Sequence, residues 1–285
     1  MSLDLSAVLI TRNEERDLPA CLDSLRGLAS EIVVVDNHST DRTVEIARGF
    51  GAQVEARTFD GYASQKQFAL ERATKGWILS IDADERVTPA LAEELRRLLP
   101  AAEAPPTQLS PARGAGAVNG FVIPFEVEFM GSVLRWGGLG SERHLRLVRQ
   151  GRGRFTGGGL HEGLLAPEPL GRTAGCIRHI PYRDVDEYLE KLARYTSLAA
   201  RKRWEAGRRA SFAHHLLPFW ELFVRLFLRL GVLDGFPGIV YAGLSCFHTW
   251  VKYVKLAELG RRPDRPADTA TEEERPSSPE NRHHD

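Results

Sequence analysis

Two carboxylates, two residues apart, close a strongly apolar run: Trp77-Ile-Leu-Ser-Ile81 leads into Asp82-Ala-Asp84-Glu85. A hard cation such as Mg²⁺ or Mn²⁺ often takes only one or two protein carboxylates and fills its sphere with water and phosphate oxygens, so this spacing suits a cation bound together with a diphosphate. On an extended backbone the alternation would put Asp82 and Asp84 on one side. An Asp pair after a strand can equally cap the next helix, so the pattern gains weight from its company. Thr11-Arg-Asn-Glu14 follows the apolar run Leu5–Ile10, and Asp36-Asn-His-Ser-Thr-Asp41 follows Glu31–Val35. Asp36 can accept from a base N–H, and Glu14 from a base or a ribose. Thr40 and Asp41 can instead cap the next helix, and for Thr40 that is the preferred reading. Three acidic ends facing one crevice repel one another unless a cation or hydrogen-bond donors sit among them. No glycine-rich phosphate loop of the GxGxxG or GxxxxGK[ST] type occurs. The phosphates therefore fall to a metal and side chains.

The elements that must position these acids follow from periodicity. Leu5–Ile10, Glu31–Asp36, Ala52–Ala56 and Trp77–Asp82 read as short strands. Between them, Leu18, Cys21, Leu22 and Leu25 recur at helical spacing, Val44, Ile46, Ala47 and Phe50 more loosely, and Phe68, Ala69, Arg72 and Ala73 mark a third helix. Thr88-Pro89 supplies the N-cap and first residue of a fourth, with Leu91, Leu95, Leu98 and Leu99 along it. Strands alternating with helices imply a parallel sheet covered on both faces, and such sheets bind ligands outside their C-terminal strand ends. The acidic clusters fall at those ends.

Pro100 to Val118 reads as a mobile loop. A glycine-rich segment follows, with strand patterns at Gly120–Phe129 and Leu145–Val148, ending near Pro181. Asp184-Val-Asp-Glu187 forms a capping box for a long helix whose apolar stripe runs Val185, Tyr188, Leu189, Leu192, Tyr195 and Leu198. Residues 261–285 are charged and proline-rich and read as disordered.

The 285 residues are 42% hydrophobic and 27% charged, which is globular. Thirty-eight basic residues balance thirty-eight acidic ones, against a general nucleic-acid binder. The charge is unevenly placed: residues 1–100 carry 17 acidic and 12 basic side chains, and residues 101–260 carry 14 and 21. Three widely spaced cysteines without a CxxC pair point to a reducing compartment. Asp4 interrupts the start, so no secretory signal is expected and the protein should remain cytoplasmic.

The order Ala7-Val-Leu-Ile-Thr-Arg-Asn-Glu14, Val33-Val-Val-Asp36-Asn-His-Ser-Thr-Asp41, then Asp82-Ala-Asp84-Glu85, resembles a family 2 glycosyltransferase of the GT-A fold. Gly61-Tyr-Ala-Ser-Gln-Lys66-Gln-Phe68, Arg135-Trp-Gly-Gly138, Arg146-Leu-Val, His161-Glu162 and Gly231-Val-Leu-Asp234-Gly-Phe-Pro-Gly238 resemble its bacterial lipopolysaccharide inner-core glucosyltransferase branch. The likeness runs over about residues 4–258. It implies an α/β fold: a Rossmann-like, mostly parallel central sheet with helices on both faces, plus a helical C-terminal extension. Residues 1–100 would bind the nucleotide sugar, 101–118 form a flexible loop, 119–183 bind the acceptor, 184–260 form a membrane-proximal extension and 261–285 a tail.

The resemblance implies roles residue by residue. Thr11, Asn13 and Glu14 would line the nucleotide pocket, Asp36 would read uracil, and Lys66 would lie near the diphosphate. Asp82 and Asp84 would hold ribose, diphosphate and a divalent cation, Mg²⁺ or Mn²⁺, which offsets charge on the departing UDP. Inversion by direct displacement needs a carboxylate base opposite the leaving group. Glu162 is the preferred base; it follows Gly157-Gly-Gly159, and His161 would orient it or contact phosphate. Glu142, in Ser141-Glu142 where relatives more often show Pro-Asp, is the runner-up.

Residues 216–259 are rich in Leu, Phe, Trp and Tyr, yet Glu221, Arg225 and Arg229 interrupt Leu216–Leu233. Phe236–Val251 would make only about 24 Å of helix against a roughly 30 Å hydrocarbon core. Arg225 and Arg229 amid Phe219, Trp220, Phe223 and Phe227 suit a helix lying in the interface of an anionic membrane, on the cytoplasmic face of the inner membrane. A cap on the catalytic domain or a homodimer contact is the competing account. Arg143, Arg146, Arg149, Arg152 and Arg154 are candidates for acceptor phosphates. The expected partners are a UDP-hexose and a glycolipid acceptor. Transfer to a polyprenyl phosphate, or a non-catalytic sugar-nucleotide-binding membrane scaffold, are the alternatives.

Overall fold

The computed structural model describes residues 2–103, 118–140, 142–157, 163–211 and 213–261. Four strands, β1 (Leu3–Thr11), β2 (Ala29–Asp36), β3 (Gln53–Ala56) and β4 (Trp77–Ser80), pair in parallel in the order β3-β2-β1-β4. Between them run α1 (Leu18–Ser24), α2 (Thr43–Gly49) and α3 (Tyr62–Arg72). Side chains alternate across the sheet as the pleat requires. Leu5, Ala7, Leu9, Val34, Trp77 and Leu79 pack on one face with Leu18 and Leu22 of α1 and Leu25 just beyond its end. Val8, Val33, Val35 and Ile78 pack on the other with Ala69 and Leu70 of α3. Both faces are therefore covered by apolar helix stripes.

The sheet continues in mixed direction. After β5 (Glu85–Val87) and α4 (Pro89–Glu103), the chain forms β6 (Gly120–Phe129), β7 (Ser132–Leu134), β8 (Arg143–Arg149), the hairpin β9 (Arg154–Thr156) and β10 (Gly163–Leu165), then β11 (Leu170–Arg172) and β12 (Ile177–His179). β8 lies antiparallel between β4 and β6, β12 runs parallel to β6, and β5 closes the order antiparallel to β12. Thr88 caps α4 as expected: its Oγ1 accepts from Leu91 N at 3.3 Å. Pro100 does not open a loop, because α4 runs through it to Glu103. The missing N–H costs one bond near the helix end, while Leu95 and Leu99 remain buried. The rest of the expected loop, residues 104–117, lies outside the described residues, as does the tail beyond Arg261.

Helix α5 (Val185–Glu205) starts at Asp184, whose carboxylate accepts from Glu187 N at 2.8 Å. The reciprocal bond goes one residue further out, from Arg183 N to Glu187 (3.0 Å). Its stripe differs from expectation. Tyr188, Leu192, Thr196 and Ala200 are buried, while Val185, Leu189, Tyr195 and Leu198 are exposed. The face that packs is chosen by α7 (Gly235–Arg261), which meets α5 through Ala200, Tyr253 and Leu256. Between α5 and α7 lie α6 (Ala213–Phe223), a π-helical turn at Val224–Leu228 and a 3-10 turn at Gly231–Asp234. Among the described residues, no helix is long and apolar enough to cross a membrane.

Candidate active site

The acidic residues after β4 do not sit on extended backbone. The strand ends at Ser80, and a turn closes over Asp82 to Glu85: Glu85 N donates to Asp82 O (3.0 Å) and Asp82 N to Glu85 Oε2 (3.0 Å). The turn separates the two aspartates. Asp82 faces α3 and β8, with Lys66 Nζ 2.9 Å from Oδ1 and an Arg146 NH2 nitrogen 3.2 Å from Oδ2. Asp84 faces β12, where His179 Nε2 lies 3.3 Å from its Oδ2. Same-side placement by alternation is thus corrected, because a turn and not a strand carries the pair.

Arg146 is the hub of the Asp82 side. The same nitrogen reaches Glu85 at 2.5 Å, its guanidinium lies 5.2 Å from the Phe125 ring centroid, and its side chain is 15% exposed. Among the described residues its Nε has no partner. Burial works to raise Asp82, but Lys66 and Arg146 overcome it and hold the carboxyl well below its usual range. Glu85 goes the other way: burial dominates, Asp82 adds repulsion, and the attraction of Arg146 does not offset both, leaving Glu85 at about 7. Burial depresses His179, yet its hydrogen bond to Asp84 and the nearby carboxylates bring it above its ordinary value.

Strand register places the nucleotide-side residues. Thr11 and Asp36 are neighbours in the β1–β2 ladder, and Thr11 Oγ1 donates to Asp36 at 2.9 Å. Asp36 is 2% exposed and also accepts from Ser39 N (2.8 Å) and Ser39 Oγ (2.5 Å), so three of about four carboxylate lone-pair sites are used. Asn13 is exposed at φ 57° and ties the two loops together, its Oδ1 accepting from Thr40 N at 2.8 Å. Thr40 does not cap α2. Arg42 is the N-cap residue and makes no side-chain cap bond; Asp41, the other capping candidate, sits just before it and accepts from Thr43 N (3.0 Å) and from Glu15 N (3.1 Å). Burial, with Asp84, Asp17 and Asp41 nearby and Lys191 opposing, raises Glu14 to about 7. Asp17 lies 3.7 Å from both Arg86 and Arg183, which fastens the start of α5 over this rim.

The rest of the expected site is split. His161 and Glu162 lie outside the described residues. The hairpin that flanks them is pinned to α3 beside Lys66, since Phe155 N donates to Gln67 Oε1 at 2.9 Å. Glu142 is half exposed, 3.7 Å from His144. The arginine row does not form one face. Arg146 belongs to Asp82 and Glu85, and Arg149 lies 4.7 Å from the Trp77 ring centroid and donates to Val118 O. Sequence reading missed His179 and gave Arg146 a different task. His179 is 95 positions from Asp84 and reaches it only because β12 pairs with β5, His179 opposite Glu85.

These residues fit a divalent cation unevenly. Asp84 and His179 offer an oxygen and a nitrogen donor side by side, both partly exposed. Asp82 already carries two cationic side chains. Among the described residues no group of three His, Cys, Asp or Glu could hold a metal ion. Two protein donors suffice where water and diphosphate oxygens complete the sphere.

The model of the family described as "Glycosyl transferase family 2" matches residues 6–124. The chain is 32% identical over 273 residues to the lipopolysaccharide core biosynthesis glycosyltransferase LpsC of Rhizobium meliloti (strain 1021), covering 92% of this chain and 96% of that protein. The chain belongs to glycosyltransferase family 2. It is therefore a glycosyltransferase, and its sheet, flanking helices and C-terminal helices form the GT-A arrangement. An uncharacterized glycosyltransferase of Rickettsia typhi is 41% identical over 91 residues, 32% of this chain and 31% of that protein. Residues 1–349 of TarS from S. aureus superpose over 92% of both chains at 13% identity and a TM-score of 0.42.

Proposed function

We propose that this family 2 enzyme transfers a hexose, with inversion, from a UDP-sugar to a lipopolysaccharide-core or similar glycolipid acceptor, glucose being the first candidate. The observation that carries the donor half is the division of labour between Asp82 and Asp84. Asp84 with His179 is the proposed Mg²⁺ or Mn²⁺ site, and a cation there would supply positive charge to the departing nucleoside diphosphate. Lys66 and Arg146, both paired with Asp82 at the same turn, would receive phosphate oxygens. Thr11, Asn13 and Glu14 line the proposed nucleoside pocket, and Asp36 has one lone-pair site left for a uracil N–H. The acceptor class is supported by the match, over 92% of this chain, to a lipopolysaccharide core biosynthesis glycosyltransferase.

Glu162, which lies outside the described residues, remains the proposed base on the strength of the sequence resemblance; Glu142 is the alternative. The proposed place of work is the cytoplasmic face of the inner membrane, with α6 and α7 on the lipid. That reading draws on exposed Phe219, Trp220, Phe227, Leu228, Leu233 and Phe236, far more apolar surface than scattered single residues require. The arginines support it less than their sequence spacing implied. Arg225 pairs with Glu221 at 3.1 Å, and the Arg229 side chain packs over Gly138. A homodimer through the same helices is the competing use of that surface.

The direct test is a thermal-shift screen of UDP-glucose, UDP-galactose, UDP-GlcNAc and GDP-mannose, each with and without Mn²⁺. A UDP-sugar should stabilise the protein, and Mn²⁺ should enhance the shift. Asp84→Ala should remove that enhancement and lower kcat/KM roughly 1000-fold. Stabilisation by GDP-mannose alone would overturn the uridine reading. Unchanged turnover in Asp84→Ala would remove the metal role.

A further inference from the structure

The segment Arg135–Gly140 joins β7 to β8 and is held by groups outside the sheet. Asp234, the last residue of the 3-10 turn, accepts from Arg135 N through Oδ1 and from Trp136 N through Oδ2, both at 2.9 Å. Gly137 N donates to Arg229 O at 2.8 Å, and Arg225 reaches Gly137 O at 3.3 Å. Arg225 is braced by Glu221 of α6, whose other oxygen accepts from Thr249 of α7 at 2.7 Å. The approach is close. A Cβ at Gly231 would meet Arg225 O at 2.7 Å, and Gly137 and Gly138 take φ of +67° and +92°.

With its main chain fixed in this way, Trp136 keeps 43% of its surface exposed. Its place in the fold is decided by register. Leu134, at the base of the segment, pairs with Val127, and Val127 pairs with His179, the neighbour of Asp84. The segment therefore leaves the sheet on the rim that holds the donor residues, two strands or about 10 Å from His179. A tryptophan so presented suits a pyranose: the electropositive C–H face of the sugar lies against the negative face of the indole, and little side-chain freedom is lost.

We infer that Trp136 is the platform on which the acceptor's sugar ring stacks, and that Asp234 is the positioning residue that holds it. The helical extension and the acceptor subsite are then one mechanical unit. This rests on the reading of the protein as a transferase that acts on a glycolipid.

The test uses the full chain carrying 5-fluorotryptophan at its five tryptophans, with the Trp136 resonance assigned by its loss in Trp136→Phe. Methyl glycosides of glucose, galactose, mannose and a heptose are titrated first; phosphatidylglycerol–phosphatidylcholine vesicles are added to a separate sample. At least one glycoside should shift the Trp136 resonance more than the other four. Asp234→Ala should abolish that shift, and Asp234→Asn, which can still accept one N–H, should retain part of it. With truncated lipopolysaccharide and UDP-glucose, Trp136→Ala should raise the acceptor KM about tenfold while kcat and donor KM stay within twofold. Trp136→Phe should restore most of the loss. A resonance that answers only to vesicles would place Trp136 on a lipid surface and overturn the inference, as would silence toward every glycoside or an unchanged acceptor KM. If the wild type glycosylates no truncated lipopolysaccharide, the acceptor reading fails on its own, and the glycoside titration still decides the platform.

Discussion

The strand-end half and the helical extension solve opposite problems. In residues 2–103 only Phe59 and Tyr62 stand out as large exposed apolar side chains, whereas fifteen lie in residues 213–261. The first region instead buries polar groups: Asp36, Glu85 and Gln65 are each at most 2% exposed. Such groups are tolerable only when bonded, and Asp36 and Glu85 both accept at short range. The extension leaves many of its apolar groups outward, and two of its inward polar groups, Arg225 and Asp234, share one object, the Arg135–Gly140 segment. The lesson is that burial marks the chemistry in one half, and exposure marks the contact surface in the other.

The sharpest challenge to that contrast is Arg146→Met, which strands Glu85 in the interior without its cation. It should lower stability by about 3–5 kcal/mol in urea unfolding, and adding Glu85→Gln should recover part of the loss. A loss below about 1 kcal/mol would mean that the buried acids do not need their pairing. On the other side, Phe219→Ser with Phe227→Ser should weaken partition onto phosphatidylcholine–phosphatidylglycerol vesicles by roughly 100-fold, leaving the UDP-sugar thermal shift untouched. Since Arg225 is already paired with Glu221, neutral vesicles should retain much of the binding. Wild-type partition of the double variant, or none by the wild type, would assign that surface to a second copy of the chain.

The smallest effect concerns Glu14. Its folded value of about 7 exceeds the ordinary 4.5, so the folded protein holds that proton longer than the unfolded chain does. The associated stability is complete below pH 4.5 and is lost as pH rises through about 7. With metal removed by EDTA, Glu14→Gln should therefore be the more stable form at pH 8, by about 1 kcal/mol after solvent screening. A pH–stability curve parallel to the wild type would show that Glu14 is not strained.

Much of the fold was legible. The strand pattern at Gly120–Phe129 matches β6 to the residue, and the four parallel strands lie where their apolar runs placed them. Burial of a strand or helix stripe is written into its own few residues. The shortest strands were not legible, because β5, β9 and β10 have three residues each, too few for a period to show. The stripe of α5 misled because Val185, Leu189 and Leu198 keep helical spacing, yet no element among the described residues covers them.

The chain's own order of residues determined the family, the sheet and the gathering of Thr11, Asp36, Asp82 and Asp84 at strand ends, since each depends on local periodicity and motif. What each acid faces was left to the tertiary structure. Asp84 meets His179 through a strand pairing that spans 95 positions, and Arg225 turns from solvent to the Gly137 carbonyl only once α6 and the loop are packed. Periodicity specifies which side of an element is buried; which charged group waits there depends on the register between elements, and that is set by packing over the whole core.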